Sequence, residues 1–565
     1  MTVKQIETPH GIKKYLPIFQ WLPVYKPDWL RSDLVAGLTT AAVVIPQSMA
    51  YATIAGLPVE VGLYAALVPM VVYAILGTSR VLSVSVTSTI SILTATTLLS
   101  VVQGSNPTEY LTAATTLAVL VGIFLILAGV LRLGILANLI SQPVLTGFKA
   151  GVGLVIFVGQ IAKVLGVSIE KAPFLQTLVA LLQSLDEIHW MTFGVALVTL
   201  AILIFLPRLT VKVPAPLVAV VFGILASALL SLESLGVALV GDIPSSLPSL
   251  TLPDLSLLGG LWPGALGIAL MSFIESIAAG RSFAKKGEQT IDANQELLAL
   301  GFANIGGGLF QAYPGGGGTS QTAVNRQSGA KTQISSLVTA AVVAVTLLVL
   351  AGFTSLMPEA TLGALVLVAA AGLINLDNFR AIRRIRSTEF VWAIVAFVGV
   401  VLLGTLEGIL IAVLISVLTL LVQSSFPPVY ALGRKPGTDV FRPLSPDHPD
   451  DETFPGLLIV RTEGRMNFAS APNTTDKLLD LVYQAQPRVL VIESSAIPDL
   501  EYTALKMLAE FDEDLSDQGI TLWLVALNPE PLKVIRRAQL VEKFGDERLF
   551  LNAEQAVETY QAQNR

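Results

Sequence analysis

Two stretches of the sequence carry hydroxyl, amide and glycine residues within otherwise apolar surroundings. The first, at 83–97, reads SVSVTSTISILTATT and has a hydroxyl at nearly every second position. The second, at 314–325, reads PGGGGTSQTAVN, in which four glycines precede a short Thr, Ser and Gln stretch. Unpaired backbone groups in hydrocarbon cost several kcal/mol each, so irregular chain at membrane depth must be buried in protein or line a cavity.

Two helices that begin at these stretches could bind an anion. Helix N-termini present free N–H groups and the positive end of the helix dipole, and both favour negative charge. The glycines at 315–318 would let the backbone approach a ligand without side chains in between. The alternative is a flexible glycine loop beside hydroxyls that pack helices together. Short interrupted segments at matching places in two halves mark a transporter's central site, so we favour the anion site.

Two ionisable residues lie inside apolar segments. Glu275 is the only acidic residue well inside any predicted span, and an intramembrane carboxylate is a functional-site hypothesis by default. Burial favours its protonated form, so Glu275 could load and release a proton near neutral pH. The alternative is a structural carboxyl group at the centre of the repeat, either neutral or hydrogen-bonded to backbone N–H groups. Lys149 could bias a cavity toward anions, but we expect its long side chain to reach a membrane interface.

Composition excludes several kinds of site. The chain has no cysteine, so it holds neither disulfides nor thiolate metal sites. Its three histidines, His10, His189 and His448, are far apart in polar stretches, and we expect no metal, no cofactor and no catalytic residues. The net charge of −6 comes without an acidic or basic block, and we expect no nucleic-acid partner.

The elements that must position these residues are helices in a lipid bilayer. Of 565 residues, 53% are hydrophobic and only 13% are charged, against about 25% charged in soluble domains. A spanning helix needs about 20 mostly apolar residues. Fourteen segments qualify, as seven plus seven, at 34–55, 61–76, 81–102, 110–131, 134–161, 191–206 and 213–232, and at 261–284, 297–310, 319–325, 334–357, 360–374, 390–406 and 409–423. The two unusual stretches fall in the third member of each set.

The distribution of basic residues predicts the orientation. If the N-terminus is cytoplasmic, every second loop is cytoplasmic and should hold the Lys and Arg residues. The predicted outer loops hold Lys163 and Lys171, whereas thirteen bases fall in the predicted inner loops. These are Arg80, Arg132, Arg208, Lys212, Arg281, Lys285, Lys286, Arg326, Lys331, Arg380, Arg383, Arg384 and Arg386. We therefore expect a multi-pass protein of the plasma (inner) membrane with both termini cytoplasmic.

The last part of the chain has the pattern of a soluble domain. Between 457 and 527, three buried-strand patterns alternate with helical ones, which predicts an α/β domain. A proline-containing stretch precedes them. The predicted organisation is a cytoplasmic N-terminal segment at 1–33, a transmembrane transport domain at 34–425, a linker at 426–452 and a cytoplasmic domain at 453–565.

The sequence at 33–80 resembles the sulfate permease family, called SLC26 in animals. It reads DLVAGLTTAAVVIPQSMAYATIAGLPVEVGLYAALVPMVVYAILGTSR, and Gly62 to Arg80 matches the family signature almost throughout, with Val61 in place of the usual Tyr. FQAYPGGGGTSQTAVN, at 310–325, matches the family's tenth-helix motif. The resemblance covers essentially the whole chain, since IESSAIPDLEYTALKML in the tail is similar to STAS domains.

The resemblance implies a seven-plus-seven inverted repeat with core and gate domains, an elevator-type movement, a homodimer and a C-terminal STAS domain. In the family, the anion sits between the third and tenth helices, beside the first. Residue by residue, this implies a substrate site of Gln47, Tyr51, Val86, Thr87, Gly318, Thr319, Ser320 and Gln321. Glu275 falls on the helix-eight carboxylate that is linked to proton coupling in several members.

The chain departs from the family pattern in the tenth-helix motif. Many members have Arg at the position of Gln321, and a Gly-rich tract replaces the commoner Val-Thr-Gly-Ser. Without that charge the site depends on dipoles and amides, and a neutral amide suits either sulfate or bicarbonate. In the STAS domain, Leu500 follows Asp499, where anti-sigma-factor antagonists carry a phosphorylated serine, so that switch is absent here.

The leading hypothesis is an importer of an inorganic oxyanion, with sulfate first, by proton symport. Alternatives on the same scaffold are a sodium-dependent bicarbonate transporter, a dicarboxylate carrier, and an anion exchanger or channel. A membrane-anchored sensor whose output is the tail is an alternative from a different class. A regulatory ligand or protein could bind the STAS domain. The sequence leaves open the anion, the coupling ion, and symport against exchange.

Overall fold

The computed structural model describes residues 16–102, 107–138, 141–169, 174–209, 213–241, 243–285, 288, 290–538 and 545–564. Residues 1–15, which include His10, lie outside this part of the chain, as do Lys171, Lys212 and Lys286. The chain forms two units, Met1–Ser416 and Val417–Arg565.

The first unit is a bundle of α-helices. Its described helices of nine or more residues are α1 (Pro27–Ala55), α2 (Val59–Leu76), α3 (Ser88–Val101), α4 (Pro107–Val130), α5 (Gln142–Leu165), α6 (Phe174–Gln183), α7 (Trp190–Leu209), α8 (Ala215–Leu230), α9 (Leu258–Phe283), α10 (Ala293–Leu309), α11 (Thr319–Gln327), α12 (Ile334–Val345), α13 (Glu359–Leu373), α14 (Leu376–Ile385), α15 (Ser387–Leu403) and α16 (Thr405–Ser425), the last of which continues past Ser416 into the second unit. Each of the fourteen predicted spans overlaps one of these helices. Among the described residues, eight helices are long and apolar enough to cross a membrane by length and composition.

Local sequence sets the ends of these helices. α1 has Pro27 at its first position, where the missing N–H costs no helical hydrogen bond. It ends at Gly56, whose φ of 77° is left-handed and therefore favours glycine. α12 continues through a π-helical turn, Thr346–Leu350, into a last turn at Ala351–Thr354.

Helix contacts divide the bundle into two groups. We call α1–α4 with α9–α12 the core group, and α5–α8 with α13–α16 the gate group. In the core group, α4 packs against α9 and α10, and α12 packs in the same way against α1 and α2. In the gate group, α5 packs against α15, and α13 packs against α7. These contacts of one half of the sequence thus correspond to contacts of the other half, as a repeat requires.

Glycines allow close approach of helices within each group. A Cβ on Gly62 of α2 would lie 2.0 Å from the carbonyl oxygen of Ser48 on α1. A Cβ on Gly147 of α5 would lie 1.9 Å from the carbonyl oxygen of Ala393 on α15. Lipid tails are as apolar as leucine, so helices in a membrane associate largely through such close packing.

Two short strands precede α3 and α11 and cross each other. β1 (Val84–Ser85) pairs antiparallel with β2 (Gly316–Gly317), with Val84 opposite Gly317. The Gly318 N–H donates to the Ser83 carbonyl at 3.1 Å and extends the pairing. Both strands are buried. α3 and α11 therefore leave the crossing in opposite directions, and the N-terminus of each lies at the crossing.

The second unit contains a six-stranded sheet in the order β4-β3-β5-β6-β7-β8. Its strands are β3 (Val429–Arg434), β4 (Phe441–Pro443), β5 (Leu457–Thr462), β6 (Val489–Glu493), β7 (Thr521–Val525) and β8 (Leu549–Phe550). Its described helices are α17 (Ala471–Ala485), α18 (Tyr502–Asp517), α19 (Pro529–Arg537) and α20 (Ala553–Gln563). β5 to β8 are parallel, whereas β3 runs antiparallel to both of its neighbours. The predicted α/β domain is confirmed.

Alternate residues of the central strands feed two separate cores. In β6, Leu490 and Ile492 pack with α17, α18 and α19 on one face. Val489 and Val491 pack with α20 on the other. Leu500, at the position where the sequence lacks a phosphorylatable serine, is buried in the first of these cores. Burial on both faces explains why the three parallel strands read as continuous apolar runs.

Part of the segment predicted as a linker, 426–452, forms β3 and β4. Prolines at 427, 428, 443, 446 and 449 gave that segment the appearance of a connection. The structure accommodates Pro443 because β4 is an edge strand, where a missing N–H leaves no ladder partner unpaired.

Gly316→Ala should lower the thermal stability of the protein. Its Cβ would lie 2.7 Å from Ser272 Oγ and 2.9 Å from Ile90 Cδ1, and overpacking of this kind costs about 1–3 kcal/mol. The measurement is the temperature at which half of the detergent-purified protein loses its monodisperse elution peak. Gly159→Ala is the control, because a Cβ there meets nothing within 4 Å. Equal shifts in the two variants would contradict the close packing at β2.

Candidate anion site

A cavity of about 290 Å³ lies between the core group and the gate group. The core group contributes α1, α9 and the N-terminal ends of α3 and α11. The gate group contributes α5, the end of α13 and the start of α14. Its lining residues are Gln47, Tyr51, Val86, Thr87, Ser88, Thr89, Thr146, Lys149, Glu275, Gly318, Thr319, Ser320, Gln321, Gly372, Leu373, Asn375 and Asn378.

All eight residues predicted to bind substrate line this one cavity, and so does Glu275. They come from positions more than 270 residues apart in sequence, and the pairing of β1 with β2 brings them together. The sequence did not predict the gate-group residues Thr146, Asn375 and Asn378. Asn375 carries a local signal as the N-cap of α14, since its Oδ1 accepts the Asn378 N–H at 3.0 Å. That signal predicts a helix start and does not reveal a cavity wall.

Polar side chains of the core group satisfy the irregular backbone around β2. The Gly315 N–H donates to Asn304 Oδ1 at 2.9 Å, and the Gly317 N–H donates to Ser276 Oγ at 2.7 Å. Ser272 Oγ donates to the Gly315 carbonyl at 2.7 Å. These hydrogen bonds replace the ones that a continuous helix would supply. They make an interrupted helix tolerable within the membrane domain.

The chain before α3 is held in the same way by residues from α11 and the segment after it. The Ser83 N–H donates to Thr322 Oγ1 at 3.1 Å, and Asn325 Nδ2 donates to the Val81 carbonyl at 2.9 Å. Gln333 Nε2 donates to the Ser79 carbonyl at 2.7 Å. Polar residues of the tenth segment therefore serve partly to support the third.

Gln321 belongs to this supporting network as well as to the cavity wall. Ser85 Oγ donates to its Oε1 at 2.5 Å, and its Nε2 donates to the Val86 carbonyl at 3.2 Å. An amide nitrogen carries two N–H groups, so one remains for a ligand. The side chain links α11 to the chain before α3. It therefore offers an anion fewer hydrogen-bond donors than the sequence suggested.

Two helix N-termini present positive dipole ends at the cavity. α3 begins after Thr87, whose Oγ1 accepts the Ile90 N–H at 3.3 Å. α11 begins after Gly318, which has no side chain to cap the first turn. Each N-terminus is equivalent to about half a positive charge. The arrangement is therefore suited to a negatively charged ligand.

Glu275 lies at the α3 end of the cavity with three partners. Its carboxylate accepts hydrogen bonds from Thr87 Oγ1 and Thr89 Oγ1, both at 3.1 Å. Lys149 Nζ lies 3.8 Å from its Oε1. Among the described residues, these partners are hydroxyls and an ammonium group rather than backbone N–H groups.

The expectation that Lys149 reaches a membrane interface is wrong. Its side chain is 26% exposed and lines the cavity opposite Glu275. Lys149 lies near the N-terminal end of α5, and α5 packs so that this position faces the core group. A carboxylate within reach is a closer partner than a distant headgroup.

Two further buried acids, Glu296 of α10 and Asp33 of α1, each lie one residue before a predicted span. Glu296 accepts Tyr73 Oη at 2.8 Å, Thr78 N–H at 2.7 Å and Thr78 Oγ1 at 2.6 Å. Asp33 accepts the Lys331 N–H at 2.7 Å and Thr332 Oγ1 at 2.7 Å. Both lie outside those spans because α1 and α10 begin earlier than predicted. Each binds a turn between helices and lies outside the cavity lining.

The sulfate permease family profile matches residues 30–396, and the STAS domain profile matches residues 448–556. The chain belongs to the sulfate permease family. As a member of it, the protein is a multi-pass membrane transport protein for anions and not an enzyme. Its second unit carries the family's STAS domain.

Relatives of this sulfate permease share nearly its full length. A probable sulfate transporter of Mycobacterium tuberculosis is 36% identical over 540 residues, which cover 95% of this chain and 96% of that protein. The chloroplastic sulfate transporter 4.1 of Arabidopsis thaliana is 30% identical, over 98% of this chain and 84% of that protein.

Solved structures show the same fold. Murine Slc26a9, an anion transporter in the inward-facing state, matches with a TM-score of 0.88 and 24% identity, over 99% of this chain and 96% of that one. The transmembrane domain of the cyanobacterial bicarbonate transporter BicA matches with a TM-score of 0.60 and 26% identity. That match covers 68% of this chain and 98% of the BicA domain.

Ser320→Trp should abolish binding of labelled anion by filling the cavity. Ser320 is an exposed residue of the first turn of α11 and faces the cavity. The measurement is equilibrium binding of labelled sulfate and bicarbonate to the purified protein. Gln327→Trp, at the exposed far end of the same helix, should bind as the unmodified protein does. Unchanged binding by Ser320→Trp would move the anion out of this cavity.

Proposed function

We propose that this sulfate permease is a secondary active transporter that imports an inorganic oxyanion, with sulfate as the leading substrate and a proton as the coupling ion. The observation that carries the proposal is a single cavity in which two helix N-termini and the carboxylate of Glu275 meet. The N-termini favour an anion, and the carboxylate opposes one until it is protonated. Proton binding and anion binding therefore favour each other.

An elevator-type movement of the core group against the gate group supports alternating access. The crossing strands and Glu275 all belong to the core group, so the core group would carry the anion with it. The gate group would form the opposite wall of the anion site, whether that site opens to the cytoplasm or to the outside. A cavity formed between two internally well-packed groups is what such a movement requires.

The cavity faces the cytoplasm in the proposed orientation. Asn375 and Asn378 line it, and they directly precede the basic residues Arg380, Arg383, Arg384 and Arg386. Basic residues concentrate in cytoplasmic loops. We extend the proposal to a plasma-membrane protein with cytoplasmic termini that assembles as a homodimer and whose STAS domain accepts a regulatory ligand or protein.

A sodium-dependent bicarbonate transporter is the second candidate. The similarity to the transmembrane domain of BicA favours it. Gln321 also places a neutral amide at the site, and its amide is partly occupied by Ser85 and Val86. A neutral amide at this position, in place of a fixed positive charge, suits a monovalent anion better than a divalent one.

The first test is uptake of labelled sulfate into proteoliposomes that contain the purified protein. Sulfate should accumulate only under an inwardly directed proton gradient, and excess bicarbonate should not compete. Absence of sulfate uptake, together with bicarbonate entry under a sodium gradient, would replace both the substrate and the coupling ion. Uptake of neither ion under either gradient would overturn the proposal.

Glu275→Gln should abolish accumulation driven by the proton gradient and leave anion binding largely intact. The amide keeps the size of the side chain and loses the titrating carboxyl. Uptake with and without the gradient, measured beside equilibrium binding, separates the two effects. Glu359→Gln is the matched control, since Glu359 lies on α13, 3.8 Å from Lys163, and outside the cavity lining. Equal accumulation by Glu275→Gln and the unmodified protein would remove Glu275 from coupling.

A further inference from the structure

The charges in the cavity come from opposite helix groups. Among the described residues that line it, Lys149 and Glu275 are the charged ones, and Tyr51 is the remaining titratable one. Lys149 belongs to α5 of the gate group, and Glu275 belongs to α9 of the core group. Their side chains face each other across the space where the two helix N-termini converge.

Lys149 is less well bonded than Glu275. The carboxylate accepts two hydroxyl hydrogen bonds at 3.1 Å, from Thr87 and Thr89. The ammonium group lies 3.8 Å from the carboxylate, which is beyond hydrogen-bond distance, and it donates no hydrogen bond within the described part of the chain. An ammonium group has three N–H donors. Those of Lys149 therefore remain available to a ligand that enters the cavity.

We propose that Lys149 is a ligand of the transported anion, and that the carboxylate of Glu275 neutralises the charge of Lys149 until Glu275 is protonated. The inference rests on the proposed function and adds to it the residue that carries the positive charge. The ligand class is a small oxyanion whose oxygen atoms accept the ammonium N–H groups.

Protonation of Glu275 changes which partner Lys149 has. With Glu275 ionised, its negative charge offsets the ammonium and repels an incoming anion. With Glu275 protonated, the ammonium has no counter-charge, and an anion takes that place. Bound anion in turn favours the protonated carboxyl, so proton and anion enter together. Thr87 and Thr89 keep the carboxyl oriented in both states.

The charge balance discriminates between substrates. Two helix N-termini contribute about half a positive charge each, and Lys149 contributes one. With Glu275 protonated, the site therefore balances a dianion such as sulfate. With Glu275 ionised, it balances only a monovalent anion such as bicarbonate. Sulfate binding should depend on the proton, and bicarbonate binding should depend on it much less.

The test measures equilibrium binding of labelled sulfate to the purified full-length protein at acidic and mildly alkaline pH. The unmodified protein should bind more tightly at acidic pH, by up to about ten-fold for each pH unit, if one proton enters with each sulfate ion. Lys149→Gln should weaken binding on the order of ten-fold to 100-fold at acidic pH, while ionised Glu275 still repels the anion at alkaline pH. Lys149→Arg, which keeps the charge, should retain the affinity at acidic pH. Glu275→Gln should bind with the acid-form affinity at every pH.

Lys163→Gln is the matched control. Lys163 lies on the same helix, also 3.8 Å from a carboxylate, that of Glu359, but outside the cavity lining. It should bind as the unmodified protein does. Lys149→Gln with unchanged affinity at acidic pH would overturn the inference and leave the proposed function standing. Failure of the unmodified protein to bind sulfate or bicarbonate at any pH would overturn the proposed function itself.

Two further outcomes keep the inference testable if Lys149→Gln does not elute as a monodisperse peak. If sulfate binding by Glu275→Gln still depends on pH, Glu275 is not the group that neutralises the charge of Lys149. Loss of sulfate binding in Lys149→Arg at acidic pH would contradict the role of the charge, because Arg keeps it. The expected results in both variants would support the inference without Lys149→Gln.

Discussion

The structure depends on satisfying backbone hydrogen bonds where two helices are broken inside the membrane domain. β1 and β2 bond to each other over only two residues each. Side chains such as Asn304, Ser276 and Thr322 supply the partners that this short ladder lacks. Without them, each exposed N–H or C=O would cost several kcal/mol in hydrocarbon. The polar side chains in this region are therefore a requirement of the break as much as of any ligand.

This constraint also fixes the place at which an anion can be recognised. Because Gln321 and Ser85 bind each other across the crossing, the ends of α3 and α11 cannot drift apart without breaking buried hydrogen bonds. The dipole ends are thus preorganised, and little ordering remains for a ligand to impose. The gate-group wall is different, since it meets this region across a cavity.

The sequence predicted the parts of the site that have a local signature. The glycine run and the hydroxyl-rich stretch stand out because neither suits lipid, and Glu275 stands out as a charge in an apolar segment. The partner of Lys149 could not be predicted, because it depends on how α5 packs against the core group. Glu296 and Asp33 lie just before the predicted spans, because hydropathy excludes the polar beginnings of α10 and α1. β3 and β4 were hidden by prolines that only an edge of the sheet admits.

The placement of Lys149 and Glu275 on different helix groups has an electrical consequence. Any displacement of one group along the membrane normal moves one of these two charges through the membrane field and leaves the other behind. A full elementary charge that crosses 100 mV gains or loses about 2.3 kcal/mol. The transmembrane voltage would then act directly on the moving group. The sign of the voltage would help to determine to which side of the membrane the empty site opens.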